Sequence, residues 1–68
     1  MPERRTGTSR ILEAADAARE LAEALARAGF TLPSLRGDMP VLGTAHVQLG
    51  GASADVVRGL AAWIRERA

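Results

Sequence analysis

No cysteine, tyrosine or lysine occurs among the 68 residues, and histidine, tryptophan and phenylalanine occur once each. The missing cysteine excludes a disulfide framework, thiolate metal sites and a cysteine nucleophile. One histidine and no tyrosine remove most zinc and triad chemistry. Without lysine, no glycine-rich loop can end in the Gly-Lys-Ser/Thr of a P-loop. No apolar run approaches the roughly 18 residues of a membrane-spanning helix. The first residues lack the apolar stretch of a signal peptide, so a cytoplasmic protein is expected.

Large apolar side chains are scarce too. Hydrophobic residues make up 47% of the chain, but 14 of those 32 are Ala. Setting Met1 aside, 17 large apolar side chains remain to build a core. The length allows one small domain. At roughly 25 cal/mol per Å² of buried apolar surface, such a core barely offsets the chain entropy lost on folding.

Nine Arg face eight acidic residues, for a net charge of +1. Residues 1–10 sum to +2, through Arg4, Arg5 and Arg10 against Glu3. Residues 11–29 sum to −2, with Glu13, Asp16, Glu20 and Glu23 against Arg19 and Arg27. The remainder is neutral up to residue 53 and +1 beyond it. No basic stripe of the kind expected of a dedicated nucleic-acid binder stands out.

Residues 1–8 mix charges with Pro2 and Gly7 and read as a disordered tail, leaving a single domain over 9–68. From Ser9 to Ala28, the residues Ile11, Ala14, Ala18, Leu21, Leu25 and Ala28 recur at alternating spacings of three and four. That is one apolar stripe on a helix. The charged residues Glu13, Asp16, Glu20, Glu23 and Arg27 line its opposite face, with Glu23 and Arg27 at a favourable i,i+4 spacing. Ser9 is the expected N-cap, and Gly29 followed by Phe30 is the expected Schellman closure. Phe30 to Leu35 reads as a short extended segment, confined to a sheet edge by Pro33. Arg36-Gly37-Asp38-Met39-Pro40 reads as a turn. Val41 to Leu49 reads as a half-buried strand in which Ala45, Val47 and Leu49 alternate with polar residues and Gly43 marks a bulge. Gly50-Gly51 ends it. Ser53 is the expected N-cap of a second helix, with Asp55 in its first turn. Val56, Val57, Leu60, Trp63 and Ile64 form that helix's apolar face, and Gly59 permits a close contact. The fold class expected is α+β, a helix–β-hairpin–helix (α-β-β-α) unit. A lone two-stranded sheet is marginal in water and leaves strand edges unpaired, so a homodimer is expected, formed edge to edge or through the first helices.

The residues that carry chemistry elsewhere have plain readings here. His46 falls on the polar face of its strand with no carboxylate near in sequence, so it lacks the orienting partner of a general base. The acidic row on the first helix lacks the Glu-x-x-His of a di-metal bundle. Gly50-Gly51-Ala52-Ser53 leads from a strand into a helix N-terminus, a weak anion cradle at most. Arg36-Gly37-Asp38 matches the integrin-binding tripeptide, but as a turn without an adhesive role. Arg4, Arg5 and Arg10 read as a solubilising tail. Trp63 is a core anchor unless so small a domain leaves it open, in which case it becomes a binding hot spot.

The string Ala28-Gly29-Phe30-Thr31-Leu32-Pro33-Ser34-Leu35, with Val47-Gln48-Leu49-Gly50 and an Ala/Leu-rich helix after it, resembles small actinobacterial, Streptomyces-type proteins. These combine an Ala-rich helix, a Gly-x-Thr-Leu-Pro-Ser-Leu step, a strand ending in Leu-Gly and a final helix. The resemblance spans roughly residues 14–64 and implies a setting beside helix-turn-helix regulators. The chain departs from it at Gly51-Ala52-Ser53, where those proteins carry a polar or cysteine-containing turn. In element order the chain is also similar to the docking domains at the ends of nonribosomal peptide synthetase subunits. Neither likeness implies catalytic residues.

The sequence therefore points to a protein that is not an enzyme and has no catalytic, cofactor-binding or metal-binding residues. The expected function is a protein-interaction module, an adaptor or docking element for another protein. It would act by pairing at a strand edge or by helix contact in a groove, through Val41, Val47, Leu49, Leu60, Trp63 and Ile64. The alternative is a DNA-binding accessory protein of a transcription regulator that places Arg58, Arg65 and Arg67 on phosphates. The ribbon-helix-helix fold does not match, because one helix precedes the strands and one follows them.

Overall fold

The computed structural model describes residues 7–68, with side chains from Ser9 onward. The elements run α1 (Gly7–Ala28), β1 (Arg36–Val41), β2 (Thr44–Gln48) and α2 (Ala54–Arg67). The expected order of helix, hairpin and helix is the one found.

α1 starts two residues ahead of Ser9, so Ser9 lies in its first turn and is not an N-cap. The rest of the expected tail, residues 1–6, lies outside the described residues. Nothing in Gly7-Thr8 forbids helix, and ends of helices shift by a residue or two at little cost. At the other end the Schellman closure is present. The Phe30 N–H donates to the Leu25 carbonyl at 2.9 Å and the Gly29 N–H to the Ala26 carbonyl at 3.0 Å, with Gly29 at φ +90°. The ion pairs on α1 join Arg10 to Glu13 and Arg19 to Asp16. Glu23 and Arg27 do not pair as their spacing suggested.

The first strand starts six residues later than expected, at Arg36 instead of Phe30, whereas β2 falls within the expected second strand. Phe30 to Leu35 is not a strand but a loop with a turn, in which the Leu35 N–H donates to the Leu32 carbonyl at 3.2 Å across Pro33 and Ser34. The expected turn Arg36-Gly37-Asp38-Met39-Pro40 is instead most of β1. The expected single strand from Val41 to Leu49 is broken by the actual turn, Leu42-Gly43, with φ of 51° and 77°. Two central residues at positive φ are the mark of a type I′ hairpin turn, whose twist suits antiparallel strands. Gly43 is therefore a turn residue and not a bulge. The bulge lies in β1. Asp38 pairs with His46 and Val41 with Thr44, so Met39 and Pro40 together face Ala45. The bulge tolerates Pro40 within a ladder because a bulged residue is not required to donate.

The bulge also keeps the faces in phase. Gly37, Pro40, Ala45 and Val47 are half-buried, whereas the remaining strand side chains are exposed. The inner row consists of small or compact residues, and it meets the Ala-rich part of α1. A methyl group on Gly37 would come within 2.9 Å of the Ala15 backbone nitrogen and 3.1 Å of the Ala14 carbonyl carbon. Helix and strand thus touch almost backbone to backbone, which small side chains alone allow. Ala14 and Ala18 are buried beneath the hairpin.

α2 begins as expected. The Ser53 hydroxyl accepts the Val56 N–H at 3.2 Å, and Asp55 lies in the first turn. The backbones of α1, β1 and β2 pack closely, whereas α2 meets the rest of the chain through side chains, with Val56, Leu60 and Trp63 half-buried. Gly59 faces Phe30, whose ring edge lies 3.1 Å from where a methyl group on Gly59 would be. The molecule is long, 45 × 22 × 17 Å, with a radius of gyration of 14.5 Å, and the 22-residue α1 alone accounts for about 33 Å of that length. A compact chain of this length would have about 11 Å.

Candidate interaction groove

The space between the two helices is an open groove of about 240 Å³. Leu21, Ala24, Leu25 and Ala28 of α1 form one wall, and Leu60, Trp63 and Ile64 of α2 form the other. Both walls follow from helical periodicity. Leu21, Leu25 and Ala28 continue the stripe that the hairpin covers at Ala14 and Ala18. Leu60, Trp63 and Ile64 are three and four residues apart on α2. Of these seven residues only Leu25 is buried, while Ile64 is 50% exposed.

Arg67 packs on the groove residue Trp63. Its guanidinium lies 4.0 Å from the centre of the Trp63 ring and donates to the Trp63 carbonyl at 2.9 Å. A cation over an indole is favourable, and the bond also satisfies one of the last carbonyls of the helix. Trp63 is consequently held in one orientation, covered by Arg67 on one ring face and directed at the groove.

The six residues expected to bind a partner do not form one surface. Leu60, Trp63 and Ile64 share the groove. Val41 lies on the outer face of the hairpin beside exposed Met39 and next to Leu42, which is 99% exposed at the turn. Leu49 is exposed just beyond β2. Val47 is turned inward opposite Gly37, toward α1, so its side chain is packing and not docking surface. The α1 wall is absent from the expected set. Its residues carry the same stripe as the core, and sequence alone does not say that the hairpin covers only its first half.

The candidate polar sites stay sparse. His46 faces Asp38 across the outer side of the hairpin, a neighbour that the misplaced turn had concealed, yet no ion pair or hydrogen bond joins them. Asp38 instead accepts the Met39 N–H at 2.8 Å, within the bulge. Arg36-Gly37-Asp38 lies flat in β1 with Gly37 pressed on α1, not at a loop tip. At the start of α2 the Ser53 side chain occupies the Val56 N–H, and Asp55 places a negative charge where an anion would approach. Arg58 and Arg65 lie on one exposed face of α2 without ion pairs, whereas Arg67 is engaged with Trp63. Among the described residues no three acidic, histidine or cysteine side chains converge as a metal site would require, and no helix is long and apolar enough to cross a membrane. Comparison with protein families, with curated proteins and with solved structures returns no match.

Proposed function

We propose that the protein is a non-catalytic interaction module, an adaptor or docking element, that receives an amphipathic helix in the groove between α1 and α2. One observation carries this reading. Two helices present facing apolar walls around an oriented tryptophan, and the space between them is open. Helix-in-groove recognition uses anchors spaced by three, four and seven residues against such a surface, and a central aromatic residue is a common hot spot. The compartment that goes with this reading is the cytoplasm, and a setting beside transcription regulators, as in the Streptomyces-type proteins, is part of the same proposal.

Trp63 provides the readout. Titrating the chain with a tryptophan-free, Leu/Ala-rich amphipathic helical peptide should give a saturable blue shift of its emission. Ala24→Glu, which puts a charge on the groove wall, should abolish that shift while circular dichroism stays unchanged. A linear, unsaturable response that Ala24→Glu leaves intact would sink the reading.

Strand addition is the second mode, and the sheet favours one edge for it. β1 carries the bulge and Pro40, both of which blunt an edge, while β2 has neither. Phosphate binding has less support. With Arg67 lying on Trp63, Arg58 and Arg65 remain, and two phosphate contacts would give a salt slope of only about −2.

A further inference from the structure

We propose that β2 pairs antiparallel with β2 of a second copy of this chain, so that two hairpins form one four-stranded sheet beneath two α1 helices. The inference concerns the sheet edge and goes beyond the groove, whose helix-docking role it neither needs nor excludes.

The backbone of β2 is the starting point. Val41 and Thr44 flank the Leu42-Gly43 turn and pair with each other. They are a hydrogen-bonded pair, since the alternative pattern would need an N–H from Pro40, which has none. Bonding then alternates along the strand. Thr44, His46 and Gln48 direct their N–H and C=O groups at β1, and Ala45 and Val47 direct theirs away from it. Among the described residues nothing hydrogen-bonds to those outward groups, and the α2 backbone does not lie along β2. Proteins blunt such edges with bulges, prolines or charges. β1 has all three, in its bulge, in Pro40 and in Arg36 and Asp38. β2, Thr-Ala-His-Val-Gln, has none of them and no acidic or arginine side chain.

Coverage selects the occupant. A helix is about 10–12 Å across and strands lie about 4.8 Å apart, so one helix covers two strands. α1 already covers β1 and β2, and it presses closest on β1 at Gly37. A foreign extended segment added at β2 would be a third strand with no helix over its inner face. A second copy brings the helix that covers its own strands. Four strands under two helices make a two-layer unit, and the sheet passes from the marginal two strands to an independently stable number.

The strand is also in phase with itself. With His46, its middle residue, on the two-fold axis, Ala45 of each copy lies opposite Val47 of the other. Each of these two pairs exchanges both of its bonds, which uses every outward donor and acceptor of β2. Ala45 and Val47 remain on the inner face in both copies, and Thr44, His46 and Gln48 on the outer one. The contact is isologous and therefore closes at two copies.

The test uses the absence of cysteine, which makes any introduced thiol unique. In this register His46 meets His46 of the other copy as a non-hydrogen-bonded pair with Cα atoms about 4.5 Å apart, within reach of a disulfide. The side chain is exposed, so His46→Cys should keep the wild-type circular dichroism. Under mild oxidation it should cross-link at least about tenfold faster than Thr44→Cys or Gln48→Cys, whose own two copies would stand about 14 Å apart. Thr44→Cys mixed with Gln48→Cys should cross-link readily, because those positions face each other. For the unmodified chain, light scattering from micromolar to millimolar concentration should show the mass rising to twice 7.2 kDa. A synthetic chain N-methylated at Val47 loses an outward donor and keeps its ladder to β1, so it should stay monomeric. Monomeric mass of the unmodified chain throughout overturns the second copy. A doubled mass that N-methylation leaves unchanged, or equal cross-linking of the three cysteine variants, also overturns the proposal, because the contact then lies elsewhere, as in the groove. None of these results bears on whether the groove binds a helical peptide.

Discussion

Single residues decide how closely the elements of this protein approach one another. Gly37 is the tightest case. A side chain there meets the Ala14 and Ala15 backbone, and a helix backbone cannot move aside as a flexible side chain does. Gly37→Ala is therefore expected to destabilise the fold by about 1–3 kcal/mol through overpacking, measured by urea unfolding. A result within about 0.5 kcal/mol of wild type, the range of a neutral surface change, would show that the hairpin sits further from α1. Ser53 acts in the opposite sense, by supplying a group. Its hydroxyl takes up the Val56 N–H, so Ser53→Ala is expected to cost about 1 kcal/mol. The same unfolding experiment reads that loss, and far-ultraviolet circular dichroism should show a frayed α2. Ser53→Asp should restore most of it, since an aspartate both caps and complements the helix dipole.

At the level of elements, both helices and the second strand were legible, the latter through the alternation of Ala45 and Val47 with polar residues, whereas the first strand and the turn were not. The Ala/Leu stripe of α1, its Gly29-Phe30 closure and the Ser53 cap of α2 follow from local rules that tertiary structure did not override. The first strand and the turn were misplaced because their chemistry runs against the usual signals. Arg36-Gly37-Asp38-Met39-Pro40 has the composition of a turn, yet Gly37 is there for contact with α1 and Pro40 for the bulge. The true turn carries Leu42, a residue rarely found at positive φ. From the composition of Val41-Leu42-Gly43-Thr44 nothing separates a turn from a strand interior. The same misplacement hid Asp38 from His46 and left Val47 among the docking residues. Half of the groove was visible as the α2 face. The other half was not, because an amphipathic stripe shows that a face is apolar but not which part of the chain covers it. Leu42 yields a prediction at this scale. Leu42→Asn replaces a 99% exposed, conformationally unfavourable residue with the residue preferred at the first position of a type I′ turn. It should stabilise the hairpin by about 0.5–1 kcal/mol, seen as a higher melting temperature. A lower melting temperature would mean that Leu42 contributes a contact absent from the single chain.

For the molecule as a whole, the governing fact is how little it buries. Among the described residues only Ala14, Ala18 and Leu25 are buried, and no large side chain is fully enclosed. Leu and Ala residues enough for a modest core are present, but the groove between α1 and α2 leaves their facing side chains only partly covered. If a second copy completes the sheet at β2, folding and association are coupled, and stability must depend on concentration. The dependence can be given a size. Each tenfold rise in chain concentration adds about 1.4 kcal/mol to a dimer that unfolds to two separate chains. With a slope of about 2 kcal/mol/M for a pair of small chains, the urea midpoint should climb by roughly 0.7 M per decade. N-methylation at Val47 should flatten that climb while leaving the midpoint at the lowest concentrations close to wild type, where both chains are monomeric. A wild-type midpoint that stays constant over two decades of concentration would mean that three buried side chains and a hairpin laid on α1 hold the fold unaided. The open edge of β2 would then have no part in stability.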